Sequence, residues 1–247
     1  METPKRIKSP GSAEDIAHWD RIAEHYTSIA GTSNDHIYAQ FKYVLWQSLG
    51  DIKGLHVLDV GCGHGWFSKA LSDAGANVYG VDGSTELLKR ARDIYQHIQF
   101  AEYDLTKGLP SLGKSFDRII AHMVLMDIPD ISELVSAIRG SIKADGKFIF
   151  TLTHPCFFHY RPRRDEVTGE MFRMVTRYLQ PETWFIDGMG GHNHYHRSLT
   201  YYFEHLRLKN FAVTRLYEPP EIPDPARGDV EFYTNIPYYI LIEAIPI

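Results

Sequence analysis

Three glycines at alternate positions, Gly61, Gly63 and Gly65, follow the apolar run Val57, Leu58, Val60. Glycines so spaced let the backbone turn sharply and let a ligand lie directly against the main chain. Phe67, Ala70, Leu71 and Ala74 come next at helical spacing, so the turn joins a buried strand to a helix. A helix N-terminus at that place favours an anionic group on the ligand. The next strand, Asn77 to Asp82, ends in a carboxylate able to accept hydrogen bonds from both hydroxyls of a ribose. Strand, glycine-rich turn and helix together open a nucleotide-binding α/β domain. The spacing is G-x-G-x-G, not the G-x-G-x-x-G of pyrophosphate-binding turns, and no Walker lysine follows. A nicotinamide-dependent oxidoreductase is therefore the disfavoured rival.

With Asp59 ahead of the glycines, these residues closely resemble motif I and the second acidic motif of the Rossmann-like S-adenosylmethionine-dependent methyltransferases. The resemblance runs from about residue 15 to the C-terminus. It implies S-adenosylmethionine as cofactor and S-adenosylhomocysteine as its product. By this likeness Gly61, Cys62, Gly63 and Gly65 lie along the methionine and ribose part, and Asp59 orients the loop or meets the ammonium group. Asp82, with Gly83 beside it, holds the ribose, while Asp104 and the backbone N–H of Leu105 meet the adenine. His122 and Met123, ending the fourth strand, stand beside the sulfonium, and Tyr26 either touches the methionine end or packs its own helix down. No Asn-Pro-Pro-Tyr or Asp-Pro-Pro-Tyr follows that strand, which counts against methylation of nucleic-acid bases.

The chemistry implied is in-line displacement at a methyl carbon, where alignment and exclusion of water do most of the work. A general base adds roughly 10²–10⁴-fold where the nucleophile holds its proton. His154, ending the fifth strand, is the first candidate and His196 the second; a hydrogen-bonded turn residue before Pro155 is the competing reading of His154. The stretches Thr153 to Phe157 and Tyr195 to Phe203 are similar to those of a bacterial subgroup that methylates small molecules. Phe157, Tyr160, Trp184 and Tyr195, with Phe158 and Phe185, are expected to form a stacking pocket for a ring-containing acceptor. Trp19 either joins them or packs its own helix down. His192, His194 and His196 alternate, which on a strand would put three imidazoles on one face and suggest a metal. The glycines before them predict a loop instead, and no carboxylate or cysteine is close in sequence, so this reading assigns no metal. The arginines between Arg161 and Arg164 either bind an acidic acceptor or are a solvated loop.

The elements that must position these residues alternate. Strands are expected at 55–60, 77–81, 98–102, 116–121 and 147–153, with helices between them. That alternation predicts an α/β three-layer sandwich around a seven-stranded, mostly parallel sheet. Strands at 211–217 and 236–245 complete it, the last one antiparallel. Residues 1–12 read as a loose tail. Two helical stripes, one on Ile16, Trp19, Ile22, Ala23 and Tyr26 and one on Ile37, Phe41, Val44, Leu45 and Leu49, precede the first strand as a lid. Residues 154–197 break the alternation and read as an acceptor cap. Asp130 and Glu133 have capping-box spacing before a helix, and Ser198 is placed to cap another.

At 247 residues this is a single domain, and 44% hydrophobic with 23% charged residues is ordinary for a soluble globular chain. A formal charge of −5 argues against a large nucleic-acid-binding surface. Two cysteines imply no disulfide framework and fit the cytoplasm, and no apolar run is long enough to span a bilayer. The expected partner is a small-molecule methyl acceptor, with no nucleic acid or membrane and with a homodimer left open. RNA or protein methylation, and cofactor binding without catalysis, stand as alternatives.

Overall fold

The computed structural model describes residues 5–9, 11–158, 162–222 and 234–247. In chain order the first half comprises β1 (Lys5–Ile7), α1 (Ser12–Thr27), α2 (His36–Leu49), β2 (His56–Val60), α3 (Trp66–Asp73), β3 (Asn77–Asp82), α4 (Thr85–Ile94), β4 (Gln99–Glu102) and β5 (Phe116–His122). The second half comprises α5 (Ser132–Ser141), β6 (Ile142–Thr153), β7 (Pro162–Arg164), β8 (Met171–Arg173), β9 (Glu182–Ile186), β10 (His192–His196), α6 (Leu199–Leu208), β11 (Phe211–Tyr217) and β12 (Tyr239–Pro246).

Seven of these strands form one sheet in the order β11-β12-β6-β5-β2-β3-β4, in which β12 alone runs antiparallel to both neighbours. This is the mostly parallel, seven-stranded sandwich with a reversed last strand that the sequence predicts. Helices cover both faces, so the central strands are apolar at nearly every position. The period-2 alternation of a strand divides those residues between two cores. Leu58, Ile119, Phe148 and Ile242 face α5 and α6, which contribute Leu134, Ile138 and Leu206. Val57, Ile120, Ile149 and Leu241 face α2 and α3, which contribute Phe41, Leu45, Phe67 and Leu71. Each such aliphatic side chain, fully buried, stabilises the fold by about 1.5–3 kcal/mol.

Four local expectations are corrected. Residues 5–7 are not part of a loose tail: they pair antiparallel with Thr183–Phe185. The strand expected at 147–153 begins earlier, at Ile142. Ile142 already pairs with Phe116 and Lys147 with Arg118, so the residues between them bulge out of the ladder. Asp130 and Glu133 form no capping box, because Asp130 Oδ1 accepts from the N–H and hydroxyl of Ser132, one turn position too early. Ser198 makes no side-chain cap; the first amide of α6, Leu199, donates to the Tyr178 hydroxyl at 2.7 Å.

The segment expected as an irregular cap is built of two small sheets. β7 and β8 pair as a hairpin, and β1-β9-β10 form a three-stranded antiparallel sheet. The alternating histidines therefore do lie on a strand, registered with Glu182–Ile186.

Candidate functional site

The carboxyl ends of β2, β3 and β5 open onto one cavity, roofed by α1, α2 and β10, with an empty volume of about 1110 Å³ including its mouth. This is the crevice where an open α/β sheet takes its ligand. Gly61 and Gly63 form its floor, Asp82, Gly83, Asp104 and Leu105 one wall, and His122 and Met123 the base of the far wall. Trp19 and Tyr26 reach in from α1. Ten of the residues named from sequence thus line a common space.

The turn itself explains the glycine spacing. Gly61 has φ +70° and carries its amide to Val81 O at 2.7 Å, with the side chain of Val124 where a Cβ would stand. Gly63 has φ +53°, and a Cβ there would meet nothing nearer than Tyr26 at 3.4 Å. The backbone at Gly63 is therefore the part of the turn open to a ligand. Its amide donates to Asp82 Oδ2 at 2.8 Å, and Ser84 N–H donates to Asp82 Oδ1 at 2.8 Å. The Gly83 backbone is a third donor, and a carboxylate with about four acceptor directions still keeps acceptor capacity for a ribose hydroxyl. Burial pushes the Asp82 carboxyl up from its ordinary value, and these backbone hydrogen bonds work against that shift. The expected cofactor fits this cradle: an exposed backbone beside a carboxylate that still has acceptor capacity.

Asp104 accepts from Thr106 N–H and Oγ1 through Oδ1 and from Ser12 Oγ through Oδ2. Partial burial opposes its ionisation, but these hydrogen bonds prevail and hold it below the usual carboxylate range. His122 Nδ1 lies 2.8 Å from Thr151 Oγ1, and burial holds its imidazole near a pKa of about 4, so it is neutral. Met123 sits at φ +57°, its amide donating to Thr151 Oγ1 at 3.0 Å, which aims its side chain into the cavity wall. Trp19 meets Tyr26 edge-on at 5.5 Å and lies over His192 at 5.3 Å.

The remaining expected residues fall elsewhere. Gly65 is a packing glycine, since a Cβ there would press on Phe100, Ala91 and Tyr95 at 2.9–3.1 Å. The Cys62 thiol is buried against Gly80, and burial pushes its pKa well up. Asp59, 2% exposed, accepts from Ser68 Oγ at 2.6 Å and ties the strand to α3, the loop-orienting role. Burial pushes its carboxyl to about 7.

Neither candidate base lines the cavity. His154 is 2% exposed, with Nε2 2.7 Å from Glu218 Oε1 and Nδ1 accepting from Cys156 N–H at 3.1 Å. Both nitrogens are occupied and its ring stacks on Phe157 at 4.7 Å, so it is the hydrogen-bonded turn residue of the competing reading. His196 Nε2 lies 2.9 Å from Tyr178 O and faces a separate shallow depression.

The stacking pocket in the insert is also corrected. Phe158 stacks on His194 at 5.6 Å, Phe185 meets His18 edge-on, Trp184 sits in β9 opposite His194, and the Tyr195 hydroxyl donates to Asp15 Oδ2. None of these, nor Phe157, lines the cavity. Tyr160 lies outside the described residues. Clustering of aromatic residues in one segment says nothing of which surface each ring packs on.

Sequence reasoning missed Trp66, Val124, Met126, Asp127 and Met189 on the cavity wall. Asp127 is the consequential one: Oδ1 lies 3.8 Å from His192 Nε2 and 3.9 Å from His194 Nδ1. Its place in a 3₁₀ turn after β5 follows no spacing rule. The carboxylate that the alternating histidines lacked in sequence is supplied from about 65 residues upstream (192 − 127 = 65).

Residues 58–150 match a family described as methyltransferase domain. A ubiquinone biosynthesis O-methyltransferase of Coxiella burnetii is 31% identical over 153 residues, covering 60% of this chain and 64% of that protein. A demethylmenaquinone methyltransferase of Tropheryma whipplei is 31% identical over 144 residues, covering 58% of this chain and 57% of that one. The chain thus spans less than two thirds of the length of these curated relatives. Among solved structures, an S-adenosylmethionine-dependent methyltransferase from Mesorhizobium loti is similar with a TM-score of 0.71 at 27% identity, covering 83% of this chain and 97% of that one.

Proposed function

We propose that this chain, whose residues 58–150 match a methyltransferase domain and whose fold is similar to that of a solved S-adenosylmethionine-dependent methyltransferase, transfers a methyl group to a small, ring-containing acceptor by in-line displacement. One observation carries the reading. The ligand-facing half of the glycine turn, the Asp82 carboxylate and the rings of Trp19 and Tyr26 all line a single roofed cavity. A cleft roofed by helices, with a few polar groups converging in it, is a small-molecule site, which favours a cofactor with a small second molecule over a folded macromolecule.

When bound, S-adenosylmethionine supplies a methyl group already activated by its sulfonium. The chain's own residues bind, orient and exclude water. The Gly63 backbone and Asp82 hold the ribose side, Asp104 and Leu105 the adenine side. α1 and α2 close over the cavity and remove competing water, which strengthens every polar contact inside. Trp19, Tyr26 and Trp66 offer ring surfaces for the acceptor. The relatives' names, one in ubiquinone biosynthesis and one acting on demethylmenaquinone, favour a ring-bearing acceptor. We place the reaction in the cytoplasm, in a chain that needs neither nucleic acid nor membrane, and a homodimer is compatible with it. No helix among the described residues is long and apolar enough to cross a membrane.

Thermal unfolding with S-adenosylhomocysteine, and with NAD in parallel, tests the cofactor. A ligand at 100 times its dissociation constant adds about 2.7 kcal/mol to the native state, a shift of several degrees. A shift with NAD alone sinks the proposal. Production of S-adenosylhomocysteine from a panel of small phenols and quinols tests the transfer, and Trp19→Ala should raise the acceptor KM while leaving cofactor affinity within about twofold.

A further inference from the structure

The roof of the cavity holds a set of donors that the methyl-transfer reading does not use. β10 presents His192 and His194 on one face, because residues two apart on a strand point the same way. Asp127, on the turn after β5, meets them from the opposite side. One donor atom from each of the three lies within 4.8 Å of the others.

The surroundings of the three are those of ligands held in place. His194 Nε2 lies 3.1 Å from Thr153 Oγ1, and when it donates there, its Nδ1 lone pair faces Asp127. Such a partner on the far nitrogen is what orients an imidazole at a metal. Phe158 stacks on one face of the His194 ring, and Trp19 lies over His192. Asp127 Oδ1 is buried and has no hydrogen-bond partner among the described residues. A buried carboxylate oxygen without one is costly unless a cation or donor meets it. The Arg197 charge acts on Asp127, but its guanidinium donates to the carbonyls of Leu125 and Ile128 and not to this oxygen.

We propose that Asp127, His192 and His194 bind one divalent transition-metal ion, with its open side toward the cavity. Two imidazoles and a carboxylate suit zinc, iron, cobalt or nickel and not magnesium or calcium. A point equidistant from three donors spaced 3.8–4.8 Å apart lies about 2.2–2.5 Å from each, against roughly 2.0–2.2 Å for zinc bonds to nitrogen and oxygen. Only a small inward movement of the side chains is required. Asp127 and His192 line the cavity while His194 is closed off behind them. The vacant coordination positions therefore face the space assigned to the acceptor. Resting on the methyl-transfer reading, an acceptor oxygen bound there would lose its proton more readily, as metal-bound water does. Metal binding itself does not depend on that reading.

The test uses the full chain without an affinity tag, stripped with a chelator and titrated with Co²⁺ by visible absorption and with Zn²⁺ by calorimetry. We expect one ion per chain, cobalt ligand-field bands, and no comparable uptake of Mg²⁺. Asp127→Asn and His192→Gln should each weaken binding a hundredfold or more, beyond the roughly 10–100-fold that loss of a ligand's neighbour costs. Both variants, stripped of metal, should show the wild-type far-ultraviolet circular dichroism and unfold cooperatively, which establishes that they fold. Absence of zinc and cobalt binding in the wild type overturns the site, as does unchanged affinity in both variants. Metal binding without any response to S-adenosylhomocysteine supports the site and removes the methyl-transfer reading.

Discussion

Gly63→Ala and Gly65→Ala, two residues apart in one turn, should fail in opposite ways. Both glycines sit at positive φ, +53° and +80°, where an L side chain costs about 1–2 kcal/mol. At Gly63 that is nearly the whole structural cost, since the new methyl meets only Tyr26 at an ordinary 3.4 Å. The methyl nonetheless occupies the floor of the cavity, where the cofactor backbone contact is expected. At Gly65 the methyl is driven to 2.9 Å from Phe100 and 3.1 Å from Ala91 and Tyr95, adding an overpacking cost of about 1–3 kcal/mol. Gly65→Ala should therefore lose about 2–5 kcal/mol in urea unfolding yet bind S-adenosylhomocysteine within about threefold of wild type while folded. Gly63→Ala should lose only about 1–2 kcal/mol but weaken binding more than about tenfold by calorimetry. Unchanged affinity in Gly63→Ala, or a stable Gly65→Ala that has lost affinity, would refute the division of the turn into a ligand-facing and a packing glycine.

Two further outcomes follow from the placement of the histidines. His154→Ala removes a buried imidazole bonded at both nitrogens, so urea unfolding should register a loss of about 1–3 kcal/mol with turnover of the folded enzyme within about twofold; a hundredfold fall in turnover would restore it as a base. His64 and His122 are both held near a pKa of about 4 by burial, below the ordinary 6.5. Their folded values lie below the unfolded ones, so their stability contribution is complete above about pH 6.5 and is lost as pH falls toward 4. Asp59, pushed up to about 7, acts with the opposite sign, favouring the native state as pH drops below 7. It is common to wild type and His122→Gln, so their unfolding free energies should converge between pH 6.5 and 4, and parallel curves would contradict a neutral His122.

What the sequence carried well was whatever repeats over a short distance. The apolar runs of β2, β5 and β6, the helical stripes on α2 and α3, and the glycines after β2 each announce themselves within a dozen residues. Asp82 and Asp104 were legible because a strand end is itself a local signal. What failed depends on pairing between distant parts. Three residues at 5–7 have no pattern of their own and become a strand only against Thr183–Phe185. The glycines before His192 read as a loop, yet β10 is fixed by its ladder with β9. His154 has the right type at the right strand end, but Glu218 and Cys156 take both of its nitrogens. The insert's rings were misassigned because their clustering in sequence does not give the neighbour each ring packs against.

The strand at residues 5–7 also bears on how molecules enter and leave. It lies only a few residues before α1, and α1 is tied to the cap along its length. Asp15 accepts from Asn193 and Tyr195, His18 reaches Gly191 O at 2.6 Å, and Trp19 covers His192. α1 is therefore no independent flap: swinging it outward means unzipping a β ladder or carrying β9 and β10 along. The segment between α1 and α2, closed by Asp35 accepting from Gly31 and Tyr38 amides, is fastened only to itself by those bonds. Traffic then has two routes, a small local opening there or a concerted displacement of the whole roof. If release limits the proposed transfer, its rate is set by that roof and not by the reacting groups beneath it.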